Sequence, residues 1–266
     1  MLTLTGFTDE TLDTFPHQVR MAAAAGLSHV ELRRVGTRRS PILQASDRAI
    51  DAAEAALLAQ RIDVSCIATG LGKVPVDAPL ALQLDGLRRA AALARRFATP
   101  YVRFFSWFTT TPDADRPRVL AQVAELGDVA RAEGVTLLHE NEKGIFGDTP
   151  GRCLEVLEAA GEGVRLIFDP ANFVQVGVRP FDDAWPLLRD HVVHIHAKDA
   201  RADTGRVVPC GQGDGQWGEL MAELGASGWS GFVSLEPHLG LGGRGGPISP
   251  KRWVRALDEL RATLPA

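Results

Sequence analysis

The chain has 266 residues, of which 45% are hydrophobic and 23% charged, a composition that excludes disordered and fibrous classes and leaves a globular protein able to bury a large core. A formal net charge of -4 excludes a global cationic field that would gather nucleic acid or an anionic membrane, although Arg33 to Arg39 form a local basic cluster. Cys66, Cys153 and Cys210 are scattered and form no CxxC pair, which excludes a disulfide framework and a zinc–thiolate site and fits a reducing cytoplasm.

The opening MLTLTGFTDE lacks the basic start, apolar stretch and small-residue cleavage pattern of a secretion signal. No apolar run approaches the roughly 18 residues that span a bilayer, so a soluble, cytoplasmic protein is expected. From there, short β-branched or apolar runs alternate with Ala-, Leu- and Arg-rich stretches of helical spacing. The predicted strands, in chain order, are Leu2 to Phe7, His29 to Leu32, Asp63 to Ala68, Tyr101 to Phe105, Thr136 to Glu140, Arg165 to Asp169, Val192 to Ala197 and Gly231 to Glu236. Their mean spacing of roughly 33 residues is close to one βα unit of a ~250-residue barrel. A helix is predicted over Leu80 to Ala98, and Thr149-Pro150 places a cap residue before a proline at the first helical position. Gly134, Gly161 or Gly163, and Gly228 or Gly231 fall between a helix and the next strand, where a helix C-cap requires positive φ. On the opposite side, Lys143 to Asp148, Asp199 to Gly218 and the glycine-rich Gly240 to Pro247 are longer than a tight turn requires. The expected fold is α/β, a single (β/α)8 TIM barrel domain over residues 1–266, with its pocket built from the loops at the C-terminal strand ends. A doubly wound open sheet is the alternative, but no GxGxxG follows the first strand.

Four ligand-type residues end four consecutive predicted strands: Glu140, Asp169, His196 and Glu236, roughly 27–40 residues apart, one βα unit each. Because a strand places alternate residues on one face, Leu138 and Glu140, Ile167 and Asp169, His194 and His196, and Ser234 and Glu236 all point inward, with the second of each pair nearest the open end. Three carboxylates and an imidazole converging in a cavity repel one another unless a cation is present. One divalent metal ion resolves the conflict, Mn²⁺ first, with Mg²⁺, Co²⁺ or Zn²⁺ as alternatives for an oxygen-rich set with one nitrogen. For any one of the four taken alone, a helix cap or a surface charge is the plain alternative. His194 sits one dipeptide step deeper and reads as a packed histidine or a contributor to the pocket, while His139 and His191 read as structural.

These residues lie in segments that resemble the xylose isomerase-like TIM barrel superfamily, the sugar phosphate isomerases/epimerases. The resemblance runs from Gly6-Phe7-Thr8-Asp9-Glu10 and Val30-Glu31-Leu32-Arg33, through His139-Glu140-Asn141-Glu142, Phe168-Asp169-Pro170-Ala171-Asn172-Phe173 and His194-Ile195-His196-Ala197-Lys198-Asp199, to Ser234-Leu235-Glu236-Pro237-His238. It implies metal binding by Glu140, Asp169, His196 and Glu236, with Glu140 and Glu236 as the acid/base pair. Related epimerases commonly carry a substrate-holding histidine three residues after the metal-binding aspartate, where this chain has Asn172. Members of the superfamily act on unphosphorylated sugars, inositol-derived ketones or 3-keto-glycosides as well as on phosphorylated sugars.

The expected function is therefore a metal-dependent isomerase or epimerase of a keto sugar or sugar-like polyol. The metal would acidify a C–H next to a carbonyl, and the two glutamates would move the proton through an enediolate. Lys198 is expected either to stabilise the developing oxyanion or to pair with Asp199 at the surface. Glu142, Arg103, Trp107, His194, Asn172 and His238 are candidate substrate contacts, Arg103 needing a carboxylate or a substrate oxygen if buried. The loop Pro209 to Gly215 reads either as a nest of N–H groups for an anion or as a turn before a helix. The runner-up reaction is a lyase or dehydratase that expels a β leaving group from a 3-keto-glycoside or related ketone. More remote are an apurinic endonuclease, disfavoured by few histidines and negative charge, and a sugar-binding protein without catalysis. The partner is a small carbohydrate, with no nucleic acid or membrane, and a homo-oligomer is compatible with everything above.

Overall fold

In a computed structural model, residues 2–11, 13–36 and 40–264 are described; Arg38 and Arg39 of the basic cluster lie outside them. All eight predicted strands form: β1 (Leu2–Gly6), β2 (His29–Leu32), β3 (Asp63–Leu71), β4 (Tyr101–Phe104), β5 (Thr136–Glu140), β6 (Val164–Phe168), β7 (Val192–Ala197) and β8 (Gly231–Leu235). Every ladder between them is parallel, in the order β1-β8-β7-β6-β5-β4-β3-β2. The result is a nearly closed (β/α)8 barrel in which β1 and β2 lie side by side without a ladder. Side chains bridge that seam. Thr5 and Ser65 meet inside the barrel at 2.9 Å, and Arg33, just past β2, pairs with Asp9 and Glu10, just past β1.

Strand alternation builds two separate interiors. Val102, Leu137, Leu166, Ile195 and Val233 face outward into the large core shared with the helices. Cys66, Leu138 and Ile167 form a small apolar floor of their own, with Glu140, His196 and Ser234 on the same inward-facing registers. Boundaries shift where hydrogen bonds dictate. β3 runs on to Leu71, past the predicted Ala68, because Leu71 regains a partner in Phe104 after a register shift. β6 starts at Val164 and stops at Phe168, since Asp169 leaves the strand to cap the helix Pro170–Gln175, its Oδ1 accepting the Asn172 N–H at 3.0 Å.

The predicted long helix spans Leu80–Arg96, and Pro150 opens Pro150–Ala160 after Thr149, which makes no side-chain cap hydrogen bond. Gly134, Gly161, Gly163 and Gly228 have positive φ in the bottom loops, whereas Gly231 is ordinary strand. At the top, the stretch after β7 contains a short hairpin, Asp199–Ala200 with Val207–Val208. No helix among the described residues is long and apolar enough to cross a membrane.

The loop Pro209 to Gly215 does gather its N–H groups around an anion, but the anion is internal. Asp199 accepts from Gly211 at 3.0 Å, Gly213 at 2.8 Å, Gly215 at 2.9 Å and Ala200 at 2.8 Å. A Cβ at Gly213 would lie 2.4 Å from Asp199 Oδ1, so the cradle closes tightly on a carboxylate of the chain itself. The nest expected for an outside anion is thus already filled.

One close approach fixes the start of the mouth on the β3–β4 side. Gly72 follows β3 with φ +75°, its carbonyl accepts the Trp107 N–H at 2.9 Å, and a Cβ there would stand 1.8 Å from the Phe105 carbonyl oxygen. Gly144 also has positive φ, +77°, but open space around it. G144A should cost about 1 kcal/mol from backbone strain alone, and G72A at least ~2 kcal/mol more as packed backbone is forced apart. Denaturant unfolding of the two variants checks this, and equal losses would show that the contact with Phe105 does not matter.

Candidate metal centre

At the C-terminal mouth, Glu140 ends β5, Asp169 follows β6, His196 lies on β7 and Glu236 follows β8. All four are buried, and one ligand atom from each lies within 4.8 Å of all the others. His196 Nδ1 is 3.0 Å from Glu140 Oε1, 3.5 Å from Glu236 Oε2 and 3.9 Å from Asp169 Oδ2. Asp169 is both a helix cap and a member of the cluster: Oδ1 accepts the Asn172 N–H, while Oδ2 turns inward. Asp169 Oδ2 accepts no well-aligned hydrogen bond, although the Lys198 ammonium lies 2.7 Å away. Three carboxylate oxygens and one imidazole nitrogen, buried and facing one another, are a donor set that fits a divalent cation of the Mn²⁺, Mg²⁺ or Zn²⁺ kind.

Each carboxylate also meets a cation. Arg103 Nη1 donates to Glu140 Oε2 at 2.9 Å, Arg33 Nη1 to Glu236 Oε1 at 3.0 Å, and Lys198 Nζ lies 2.7 Å from Asp169 Oδ2 and 3.0 Å from Glu236 Oε2. These contacts decide protonation. Burial would raise the Glu140 carboxyl, but His196 and Arg103 overcome it and hold it down at about 2. Burial also opposes ionisation of Glu236, which Lys198 and His238 nonetheless hold well below the usual carboxylate range. For Asp169 burial prevails over Lys198 and pushes the carboxyl up to about 7. Lys198 is only 6% exposed, so it is not a surface partner of Asp199. Burial opposes its charge, but Asp169 and Glu236 raise its ammonium well above the ordinary range.

Beneath the cluster lies a carboxylate that strand-end reasoning did not single out. Glu31, in the middle of β2, is buried with Oε2 accepting the Ser234 hydroxyl at 2.6 Å, and it lies 3.2 Å from His194 Nε2 and 3.3 Å from His196 Nε2. It thus holds the face of His196 opposite to Nδ1. A lone Glu between Val30 and Leu32, on the inward register, was the available signal.

The mouth opens into a cavity of about 1300 Å³. Of the expected substrate contacts, Asn172, Glu142, Arg103 and His238 line it. The Arg103 guanidinium is already committed, to Glu140 and to the carbonyls of Thr69 and Ala68. Asn172 donates its amide to the Asn141 carbonyl at 2.9 Å, Glu142 pairs with Lys73 at 2.7 Å, and His238 Nδ1 lies 3.2 Å from Glu10 Oε1. Two of the candidate contacts lie away from the cavity, where the packed alternative puts them. His194 is wholly buried below His196 against Glu31, and Trp107, at φ +59°, is wholly buried in the large core shared with the helices. Neither lines the cavity. Asp9, Glu10 and Arg33 do line it; they obey the same strand-end rule on β1 and β2, where no ligand pattern drew attention to them. His139 is structural: its Nε2 meets Ser106 Oγ at 3.0 Å, and burial pushes the imidazole down to about 3 despite Glu140.

No curated protein shows significant sequence similarity to the chain, but solved structures share its fold. A probable 3-DHS dehydratase, AsbF, from Bacillus anthracis superposes with a TM-score of 0.74 at 17% identity, over 96% of this chain and 98% of that one. A D-tagatose 3-epimerase-like protein gives 0.77 at 15% identity over 98% and 96%. The IOLI protein, solved with a zinc atom, gives 0.78 at 15% identity over 98% of each chain. The sequence model for the xylose isomerase-like TIM barrel matches residues 19–263, nearly the whole barrel, and the chain therefore belongs to the xylose isomerase-like TIM barrel family.

Proposed function

We propose that Glu140, Asp169, His196 through Nδ1 and Glu236 hold one divalent ion, Mn²⁺ first, and that the chain isomerises or epimerises a keto sugar or sugar-like polyol by proton transfer. The observation that carries this reading is the convergence of Glu140 Oε1, Asp169 Oδ2, Glu236 Oε2 and His196 Nδ1, with Glu140 and Glu236 reaching the wall of a large cavity. The ion, when bound, supplies Lewis acidity toward substrate oxygens. The remaining chemistry belongs to the side chains. Glu140 and Glu236 both stay ionised at neutral pH, so either can accept a proton from carbon, and their places at the ends of β5 and β8 let them serve different positions of one substrate. Lys198 lines the cavity as a charged ammonium, suited to an oxyanion that develops when the proton leaves. Arg103 and Arg33 hold the outer oxygens of the two glutamates and so aim the inner ones.

A dehydratase or lyase is the second reading. Asn172 favours it: its amide is tied to the Asn141 carbonyl, so the position offers no ionisable group of the kind a histidine supplies there in related epimerases. The likeness to both a probable dehydratase and an epimerase-like protein is compatible with either course, since the two diverge only after the proton is removed.

NMR in D₂O over a panel of keto sugars and 3-keto-glycosides separates them. An intact rearranged sugar carrying deuterium is expected; a released leaving group or unsaturated ketone would replace the isomerase reading with the lyase one. E236Q should lower kcat by about 10²–10⁴-fold, the usual worth of a general acid or base, and weaken Mn²⁺ binding in calorimetry, with the far-UV spectrum unchanged; wild-type turnover would remove Glu236 from the mechanism. Glu31 positions His196 and touches no substrate, so E31A should weaken Mn²⁺ binding by about 10–100-fold while E31Q, which keeps an acceptor, recovers part of the loss. Equal Mn²⁺ affinity in wild type and E31A would deny Glu31 that role.

A further inference from the structure

We propose that Lys143, Arg206 and Arg244 form a recognition rim for an anionic group of the substrate, a carboxylate or a phosphate; this rests on the reading of the cavity as the substrate site. The cations in the cavity wall fall into two sets. Arg33, Arg34, Lys73, Arg103 and Lys198 each face a carboxylate of the protein. Lys143, Arg206 and Arg244 line the same cavity without one. Lys143 Nζ donates to the neutral Gln175 Oε1 at 2.7 Å, and the guanidinium groups of Arg206 and Arg244 make no ion pair or hydrogen bond among the described residues.

The backbone brings these three to one side of the mouth. Gln175, which holds Lys143, donates its amide to the Gly205 carbonyl at 2.7 Å, next to Arg206 in the hairpin after β7. The loop after β8 is pressed on that hairpin, since a Cβ at Gly243 would stand 2.2 Å from the Val207 carbonyl oxygen, and this places Arg244 beside it. Loops after β5, β7 and β8 therefore contribute one unneutralised cation each. Such a rim raises the local concentration of anions, and two guanidinium forks suit the planar or tetrahedral oxygens of a carboxylate or phosphate. The glycine cradle that might have bound the anion instead is filled by Asp199.

The test compares three six-carbon polyols by calorimetry on the Mn²⁺-loaded protein at low salt: D-glucitol, D-glucitol 6-phosphate and D-gluconate. Wild type is expected to bind at least one anionic polyol about tenfold more tightly than D-glucitol, and the preference should fall within about twofold in K143A/R206A/R244A, three exposed contacts of modest worth each. Whichever anion wins names the group. In wild type the preference should also shrink as NaCl rises toward 0.5 M, a measurement that does not depend on the variant folding. Equal binding of the three polyols, no binding of either anion, or a preference that survives the triple substitution would overturn the proposal. Mn²⁺ binding in the absence of polyol tests the metal reading separately, and the triple variant should retain it.

Discussion

Repulsion among buried carboxylates is the constraint around which the mouth is organised. Two like charges ~4 Å apart at an effective dielectric of ~20 cost about 4 kcal/mol, and Glu140, Asp169 and Glu236 meet at about that range with Glu31 directly below. The structure answers with cations drawn from different strands: Arg33 from the end of β2, Arg103 from β4, His196 from β7 and Lys198 just beyond it. No one of them neutralises the set. Asp169 is pushed up to about 7, chiefly by its burial, with Glu140 and Glu236 adding to the rise and Lys198 opposing it.

The same ion pairs help to close the barrel. β1 and β2 share no ladder, and Arg33 spans the seam from the β2 side by holding Asp9 and Glu10, just past β1, and Glu236, just past the neighbouring β8. The guanidinium also lies 4.4 Å from the centre of the Phe7 ring, which faces His196 edge-on at 5.2 Å. A residue that secures the fold at its weakest junction is thereby also the one that orients a candidate catalytic carboxylate. Stability and site geometry are coupled there, so a substitution at Arg33 would disturb both.

Much of this was legible in the chain because parallel strands write a simple pattern. Leu138-His139-Glu140 and His194-Ile195-His196 alternate faces, and the strand-end rule then carries Glu140 and His196 to the same mouth. Asp169 was legible in two ways at once, as a cap and as a ligand-type residue, and each of its oxygens takes one role. What the pattern could not convey is which residues meet across the barrel. Glu31 looks like one charge in an apolar strand until Ser234, His194 and His196 from the far side close on it. Trp107 lies beyond the end of β4 at φ +59°, where strand register no longer says which way a side chain faces, and its indole is buried in the core.

The Asp199 cradle extends the same lesson to the loops. A glycine-rich stretch before a helix has the composition of an anion site, and its N–H groups do converge, yet a carboxylate fourteen residues upstream of Gly213 occupies them. The four accepted N–H groups tie the loop from Pro209 to Gly215 to the hairpin base next to Lys198. Beyond that base, the hairpin offers the carbonyl of Gly205 to Gln175 and that of Val207 to the glycine loop after β8. The glycines near residue 213 thus serve the mouth at a distance: by binding an internal anion they support the frame on which the outer, unpaired cations are displayed.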